Sequence, residues 1–152
     1  MEKEPKCKYC ERSNDLFAVA IPIRELRRST LYLNKDQAFR GRCIVALRNH
    51  RKELFELPRS ELEDFMRDVA QAANAIAKAF SPGKINYGVF GDNAPHVHFH
   101  IVPKYKDGEN WGEEFQLANP DPVFLSDSDY AEIIGSIRAY LPELQPTEIV
   151  TD

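Results

Sequence analysis

Apolar positions along the chain repeat with two different periods, and the shorter period predicts strands. Alternating or continuous apolar runs predict strands at 29–33, 42–47 and 85–90. The polar, turn-rich segment 34–41 separates the first two of them. Because a short turn-rich connection favours antiparallel neighbours, these two strands are expected to form a hairpin.

Apolar residues at helical spacing predict two helices. The first begins at Ser60, where Glu63 would complete a capping box, and it ends at the Pro82-Gly83 pair. The second spans 128–141 and carries its apolar residues on one face. Strands and helices in this order, with antiparallel pairing, predict an α+β fold with a central helix and a C-terminal helix.

Length and composition limit the class of protein. The 152 residues predict one domain, 1–152, with a polar N-terminal segment 1–15 and a C-terminal extension 104–152. No apolar run approaches the ~20 residues that cross a bilayer, and there is no signal-peptide core, so we expect a cytoplasmic protein without a membrane partner. A net charge of −4 argues against binding of a nucleic acid polymer.

Three of the four histidines alternate with apolar residues in the segment 96–102. A strand would project all three imidazoles from one face, with neighbouring rings starting roughly 6–7 Å apart. One metal ion could hold two of them, but three only with difficulty, so the spacing favours different roles for the three rings. Imidazoles act as nucleophiles, acids and ligands, whereas an inert polar strand face would seldom use His three times.

The N-terminal segment contains a Cys-x-x-Cys pair, Cys7 and Cys10. Two thiols at this spacing indicate a metal or redox site, and their polar surroundings favour zinc over a thioredoxin-like motif. A closed zinc site needs two more ligands, which His50 and one histidine of the segment 96–102 can supply. The alternative is a pair of free thiols beside an unrelated His50. Cys43 lies in an apolar run and is predicted to be a core residue.

The segment His96-Val97-His98-Phe99-His100-Ile101-Val102 resembles the signature of the histidine triad (HIT) family of nucleotide hydrolases and transferases. The resemblance covers residues 7–103 and includes the Cys-x-x-Cys pair, Asn34 and the strand that ends near His50. It is strongest to the bacterial zinc-containing branch and to hydrolases of dinucleoside polyphosphates. It implies a HIT-like fold and a homodimer.

The resemblance also implies a role for each site residue. His98 would be the nucleophile that forms a covalent nucleotidyl-imidazole, and His100 would contact the phosphate or the leaving group. Asn34 would contact ribose, and Asn93 and Asn86 would bind phosphate. Structural zinc would be held by four ligands: Cys7, Cys10, His50 and His96. No organic cofactor is expected.

The expected activity is hydrolysis at the α-phosphate of a dinucleoside polyphosphate or a nucleoside phosphoramidate. Three alternatives remain open at this point. A nucleotidyltransferase or phosphorylase would use the same covalent step, and a catalytically silent nucleotide-binding zinc protein would bind without turnover. A tri-histidine metalloenzyme would hold its metal with His98 or His100.

Overall fold

A computed structural model describes residues 3–151, which form a five-stranded antiparallel sheet with helices on both faces. The strands are β1 (Ala20–Glu25), β2 (Ser29–Asn34), β3 (Cys43–Leu47), β4 (Lys84–Val89) and β5 (His98–Lys104). The α-helices are α1 (Lys8–Glu11), α2 (Asn14–Phe17), α3 (Arg59–Phe80) and α4 (Asp127–Arg138), and short 3-10 helices lie at Leu54–Glu56 and Pro146–Glu148. The order of strands in the sheet is β1-β2-β3-β5-β4, which confirms the α+β class.

The two faces of the sheet bury different kinds of residues. Odd-numbered positions of β3 and β5, such as Val45 and Phe99, pack against α3 and α4 in the main hydrophobic core. Phe99 meets Phe65 of α3 edge to face, with ring centroids 5.6 Å apart. Cys43 lies in this core, as predicted. Even-numbered positions, such as Ile44, belong to a smaller cluster on the opposite face, beneath α1 and α2.

The predicted hairpin is confirmed by the pairing of β2 with β3. Leu31 lies opposite Val45, and Leu33 lies opposite Cys43. The same register continues from β3 to β5, where Ile44 lies opposite His100. Since residues directly opposite each other on adjacent strands share a face, this register decides which side chains surround the histidines.

Strand β1 is the main element that the apolar pattern does not predict. It contains Pro22, and its register with β2 shifts between Pro22 and Arg24. Proline cannot donate a ladder hydrogen bond, so it is tolerated here because β1 is an edge strand. The shift and the proline together hide the alternation that identifies a strand.

The central helix begins one residue earlier than predicted, at Arg59, and follows Pro58 at the N-cap. Ser60 therefore lies inside the first turn, and the predicted capping box is wrong. Glu63 instead accepts a hydrogen bond from Arg59 Nε at 2.7 Å. Within residues 3–151, no helix is both long and apolar enough to cross a membrane.

The histidine strand begins at His98, two residues later than predicted, because the chain is still leaving a turn at His96. Both backbone polar groups of Val97 nevertheless form hydrogen bonds with the segment that follows β3 or with its last residue. Its N–H donates to the Arg51 carbonyl at 2.7 Å, and its carbonyl accepts from Leu47 N–H at 3.0 Å. Val97 thus holds the approach to β5 in place.

The loop between β2 and β3 depends on a glycine with a left-handed backbone. Gly41 has φ of +93°, and an added Cβ would lie 2.7 Å from Cδ2 of Phe80. We expect Gly41→Ala to lower the free energy of unfolding by about 2 kcal/mol or more, measured by urea denaturation. The matched control is Gly135→Ala in α4, where no described atom lies within 4 Å of the new methyl. This change should stabilise the protein by about 0.5–1 kcal/mol, and equal losses would contradict the explanation.

Candidate active site and metal centre

A cavity of about 620 Å³ opens on the even-numbered face of the sheet. His98 and His100 form its floor together with Ile44, and α1 contributes Lys8 and Tyr9. The opposite wall comes from the loop that precedes α4, with the lining residues Leu117, Ala118, Asn119, Pro122 and Phe124. The volume is within the range of small-molecule binding sites.

His98 is held in one tautomer by the backbone. Its Nδ1 lies 2.6 Å from the carbonyl oxygen of His96, so Nδ1 carries the proton and donates it to that hydrogen bond. The second ring nitrogen, Nε2, then keeps its lone pair. Burial lowers the pKa of His98 below its ordinary value, which keeps the ring neutral at pH 7. The arrangement supplies an unprotonated imidazole nitrogen at the cavity floor.

His100 lies beside His98, with ring centroids 5.2 Å apart. Burial, followed by the charges of His98, Arg42 and Lys8, lowers the pKa of His100 to about 3. The rings of Phe90 and Phe115 flank it at centroid distances of 6.1 and 6.4 Å. This apolar enclosure makes His100 a neutral ring.

Gly88 of β4 lies opposite His100 and makes room for the two phenylalanines. A Cβ at this position would lie 2.6 Å from Cζ of Phe115 and 2.7 Å from Cε2 of Phe90. Any larger residue would therefore displace at least one ring. The absence of a side chain at Gly88 thus leaves room for the two rings beside His100.

Two cysteines and two histidines converge beside this cavity, and they are Cys7, Cys10, His50 and His96. Nδ1 of His96 lies 3.4 Å from Sγ of Cys7 and 3.6 Å from Sγ of Cys10. Nδ1 of His50 lies 3.4 Å from Sγ of Cys10 and 3.2 Å from Nδ1 of His96. A tetrahedral zinc site requires about 3.3 Å between two nitrogens and about 3.6 Å between nitrogen and sulfur. The four residues therefore fit zinc in donor type and in spacing.

The tautomer of His96 also fits a metal ligand. Its Nε2 lies 2.6 Å from the carbonyl oxygen of Leu47, so Nε2–H donates and Nδ1 is left with a lone pair facing the cysteines. Metal-binding histidines commonly make this kind of hydrogen bond with the other ring nitrogen. Burial lowers the pKa of His96 to about 4, which keeps the ring neutral.

Tyr9 connects the Cys/His cluster with the cavity. It lies in α1 between the two cysteines, and its ring packs against His96 and His98 at centroid distances of 5.2 and 4.8 Å. The sequence pattern alone indicates no role for Tyr9. Its position between Cys7 and Cys10 was the available signal, because a residue between two converging side chains lies close to the groups that they approach.

The three predicted asparagines do not all reach the cavity. Asn34 lies at the end of β2, and Asn93 lies in the turn before the histidines, and both line the cavity. Among the described lining residues Asn86 is missing, and its Oδ1 faces Nζ of Lys104 at 3.5 Å. The structure therefore brings Asn34 and Asn93 together with the histidines and leaves Asn86 outside.

Arg42 is a cavity residue that the sequence analysis missed. It is only 1% exposed, and its charge contributes to the low pKa of His100. Its alternation with Ile44 and Ala46 was the available signal, since this places it on the same face as Ile44. That signal becomes useful only when β3 is known to pair with β5.

Comparison with known protein families decides the classification. The family model for the HIT domain matches residues 20–107, which include the paired strands and all three histidines of the segment 96–102. The chain belongs to the HIT family. The match ends before the loop that forms the opposite wall of the cavity. The Cys-x-x-Cys pair also lies outside the matched residues.

One similar protein is the asymmetrical bis(5'-nucleosyl)-tetraphosphatase of Schizosaccharomyces pombe. It is 31% identical over 83 residues, which are 51% of this chain and 46% of that protein. The chain thus matches less than half of that relative.

Solved HIT structures share the fold. A histidine triad protein from Sinorhizobium meliloti superposes with a TM-score of 0.78 and 21% identity, over 85% of this chain and 95% of that one. A Zn-bound histidine triad family protein from Mycobacterium smegmatis has a TM-score of 0.64 and 20% identity, over 89% and 92% of the two chains. At these identities the likeness establishes the shared fold.

The packing of Tyr9 leads to a stability prediction. Because its buried ring contacts two histidine rings, Tyr9→Ala should lower the free energy of unfolding by about 3 kcal/mol, measured by denaturant titration. Tyr9→Phe keeps the ring and is the matched control, so it should cost less than about 1 kcal/mol. A larger loss in Tyr9→Phe would show that the hydroxyl, and not the ring, supplies the stability.

Proposed function

We propose that the protein is a nucleotide hydrolase that cleaves at the α-phosphate of a dinucleoside polyphosphate or a nucleoside phosphoramidate. The observation that carries this proposal is the hydrogen bond from Nδ1 of His98 to the His96 carbonyl at 2.6 Å. It leaves Nε2 as the nucleophile and stabilises the positive charge that the ring acquires on attack. A nucleotide substrate is also consistent with membership in the HIT family.

The reaction has two displacement steps. In the first, Nε2 of His98 forms a bond to the α-phosphorus, and the bond from phosphorus to the leaving group breaks with both electrons going to the leaving group. A phosphate leaving group departs as an anion, and an amine leaving group takes a proton from solvent as it departs. In the second, a water oxygen attacks the same phosphorus and the N–P bond breaks. The water proton is lost to solvent, the nucleoside monophosphate departs, and His98 returns to its neutral form. His100 adjoins His98 and supports the phosphoryl oxygens or the leaving group.

The activity of the fission yeast relative supports the phosphoanhydride branch of this proposal. That protein is named a bis(5'-nucleosyl)-tetraphosphatase, and the aligned segment is 31% identical. Asn34 and Asn93, which line the cavity, supply amide groups suited to ribose and phosphate. The transferase and phosphorylase alternatives differ only in the acceptor that attacks in the second step.

We further propose that Cys7, Cys10, His50 and His96 hold a structural zinc ion. When bound, zinc would fix α1 to the sheet at the start of β5, since it supplies cross-linking and charge compensation to the thiolates. The chain's own contacts agree with this role, because the Leu47 carbonyl orients His96 toward the cysteines. No step of the proposed hydrolysis uses the metal.

The covalent step can be tested by intact-protein mass spectrometry seconds after mixing with diadenosine tetraphosphate. The wild-type protein should gain the mass of one adenylyl group, and AMP and ATP should accumulate. His98→Ala and His98→Gln should show neither adduct nor product. Lys78→Ala on the exposed face of α3 is the control and should behave as wild type. Undiminished product in both His98 variants would refute the assignment of the nucleophile.

Metal content tests the zinc site. We expect one zinc ion per chain by elemental analysis, and removal by a chelator should lower Tm by at least about 10 °C, since structural zinc contributes many kcal/mol. Cys7→Ser should lose the metal, whereas Cys43→Ala removes a core thiol and should keep it. Full zinc content in Cys7→Ser, or an unchanged Tm after metal removal, would overturn the proposal.

A further inference from the structure

Arg42 is a buried cation whose hydrogen-bonding capacity is largely unused. Its Nε and Nη1 are buried and make no hydrogen bond to any residue of 3–151. Nη2 donates to the Leu117 carbonyl at 3.1 Å, which fixes the side chain against the cavity wall. The nearest carboxylate oxygen, Oδ2 of Asp36, is 3.9 Å from Nη1, beyond hydrogen-bond distance.

The unpaired N–H groups of Arg42 indicate that a hydrogen-bond acceptor binds there. An arginine remains charged even when buried, and a buried charge without full compensation destabilises the folded state. Burial lowers the pKa of Arg42, as expected for an incompletely compensated cation. Because Arg42 lines the cavity, a ligand in that cavity can provide the missing acceptors. The unpaired N–H groups of Nε and Nη1 lie on different edges of the guanidinium, and each can donate to a phosphate oxygen.

The register places Arg42 on the His100 side of the floor. His100 lies opposite Ile44, two residues after Arg42, so Arg42 and His100 are diagonal neighbours on one face. His98 lies opposite Ala46, one further step away from Arg42. A ligand bonded to His98 would therefore extend past His100 before it reaches the guanidinium. The Phe115 ring, 5.6 Å below the guanidinium carbon, supports the cation from the other side.

We propose that Arg42 binds the leaving group, and that it makes the site selective for phosphoanhydrides, whose leaving group is an anionic phosphate. This inference rests on the proposed attack by His98. A phosphoramidate releases an amine, which gains nothing from a cation at this position. Arg42 thus favours the dinucleoside polyphosphate over the phosphoramidate as substrate class.

Two substrates with the same nucleoside separate these classes. In Arg42→Met, kcat/KM for diadenosine tetraphosphate should fall by about 100-fold, the typical effect of losing one charge-stabilising donor. For adenosine 5'-phosphoramidate it should fall by less than about 5-fold. Arg42→Lys keeps the charge without the planar set of N–H donors and should lie between wild type and Arg42→Met. Equal losses for both substrates would overturn the proposal.

Lys104→Met is a matched control, because it removes a buried cation from β5 that does not belong to the lining set. Nζ of Lys104 donates to the Glu113 carbonyl at 2.6 Å, away from His98. The ratio of the two kcat/KM values should be unchanged in this variant. Selective loss of tetraphosphate hydrolysis in Lys104→Met would attribute the effect to net charge and overturn the assignment to Arg42.

Binding measured by calorimetry in the His98→Ala background does not depend on turnover. Adding Arg42→Met should raise the Kd for ATP at least about 10-fold and the Kd for AMP less than about 3-fold, because only ATP carries phosphates beyond the α position. If wild type hydrolyses neither substrate while ATP binding still requires Arg42, the proposed hydrolysis is wrong, but Arg42 still binds the phosphates beyond the α position. If ATP binding is unchanged, the Arg42 proposal fails whatever the enzyme hydrolyses.

Discussion

The pleat of β5 is the constraint on which both the core and the candidate active site depend. Phe99 and Ile101 point into the hydrophobic core under α3, so their neighbours His98 and His100 must point into the cavity. A shift of one residue would bury imidazoles in the core and expose the apolar residues. The burial of apolar surface on one face therefore maintains the positions of the imidazoles on the other.

His96 joins three parts of the molecule through different atoms. Its Nδ1 faces the two cysteines, its Nε2–H donates to the Leu47 carbonyl, and its own carbonyl accepts from His98. The same residue therefore contacts the cysteines of the N-terminal segment and fixes the tautomer of His98. Tyr9 adds a packing contact along the same route. This chain of contacts connects a cluster of metal-ligand type with the histidines of the cavity floor.

The sequence predicts those elements whose apolar residues recur with a regular period. The β2–β3 hairpin and the helix α3 are long or regular enough to identify from their apolar period. Strand β1 could not be identified, since Pro22 and a register shift interrupt its alternation. Arg42 was missed for another reason, because its importance arises from pairing between strands more than 50 residues apart in the chain. Asn86 has the residue type of a phosphate ligand but lies outside the cavity.

The wall opposite the histidines is built from chain that has neither helix nor strand. Residues 117–124 lie beyond the region 20–107 that the HIT family model matches, whereas His98 and His100 lie within it. The loop is attached to the sheet side of the cavity by hydrogen bonds such as that from Gln37 N–H to the Val123 carbonyl. The described strand pairs do not include residues of this loop. The histidine floor of the cavity and its loop wall therefore come from separate parts of the chain, so the wall can change in sequence while the strands keep the histidines in place.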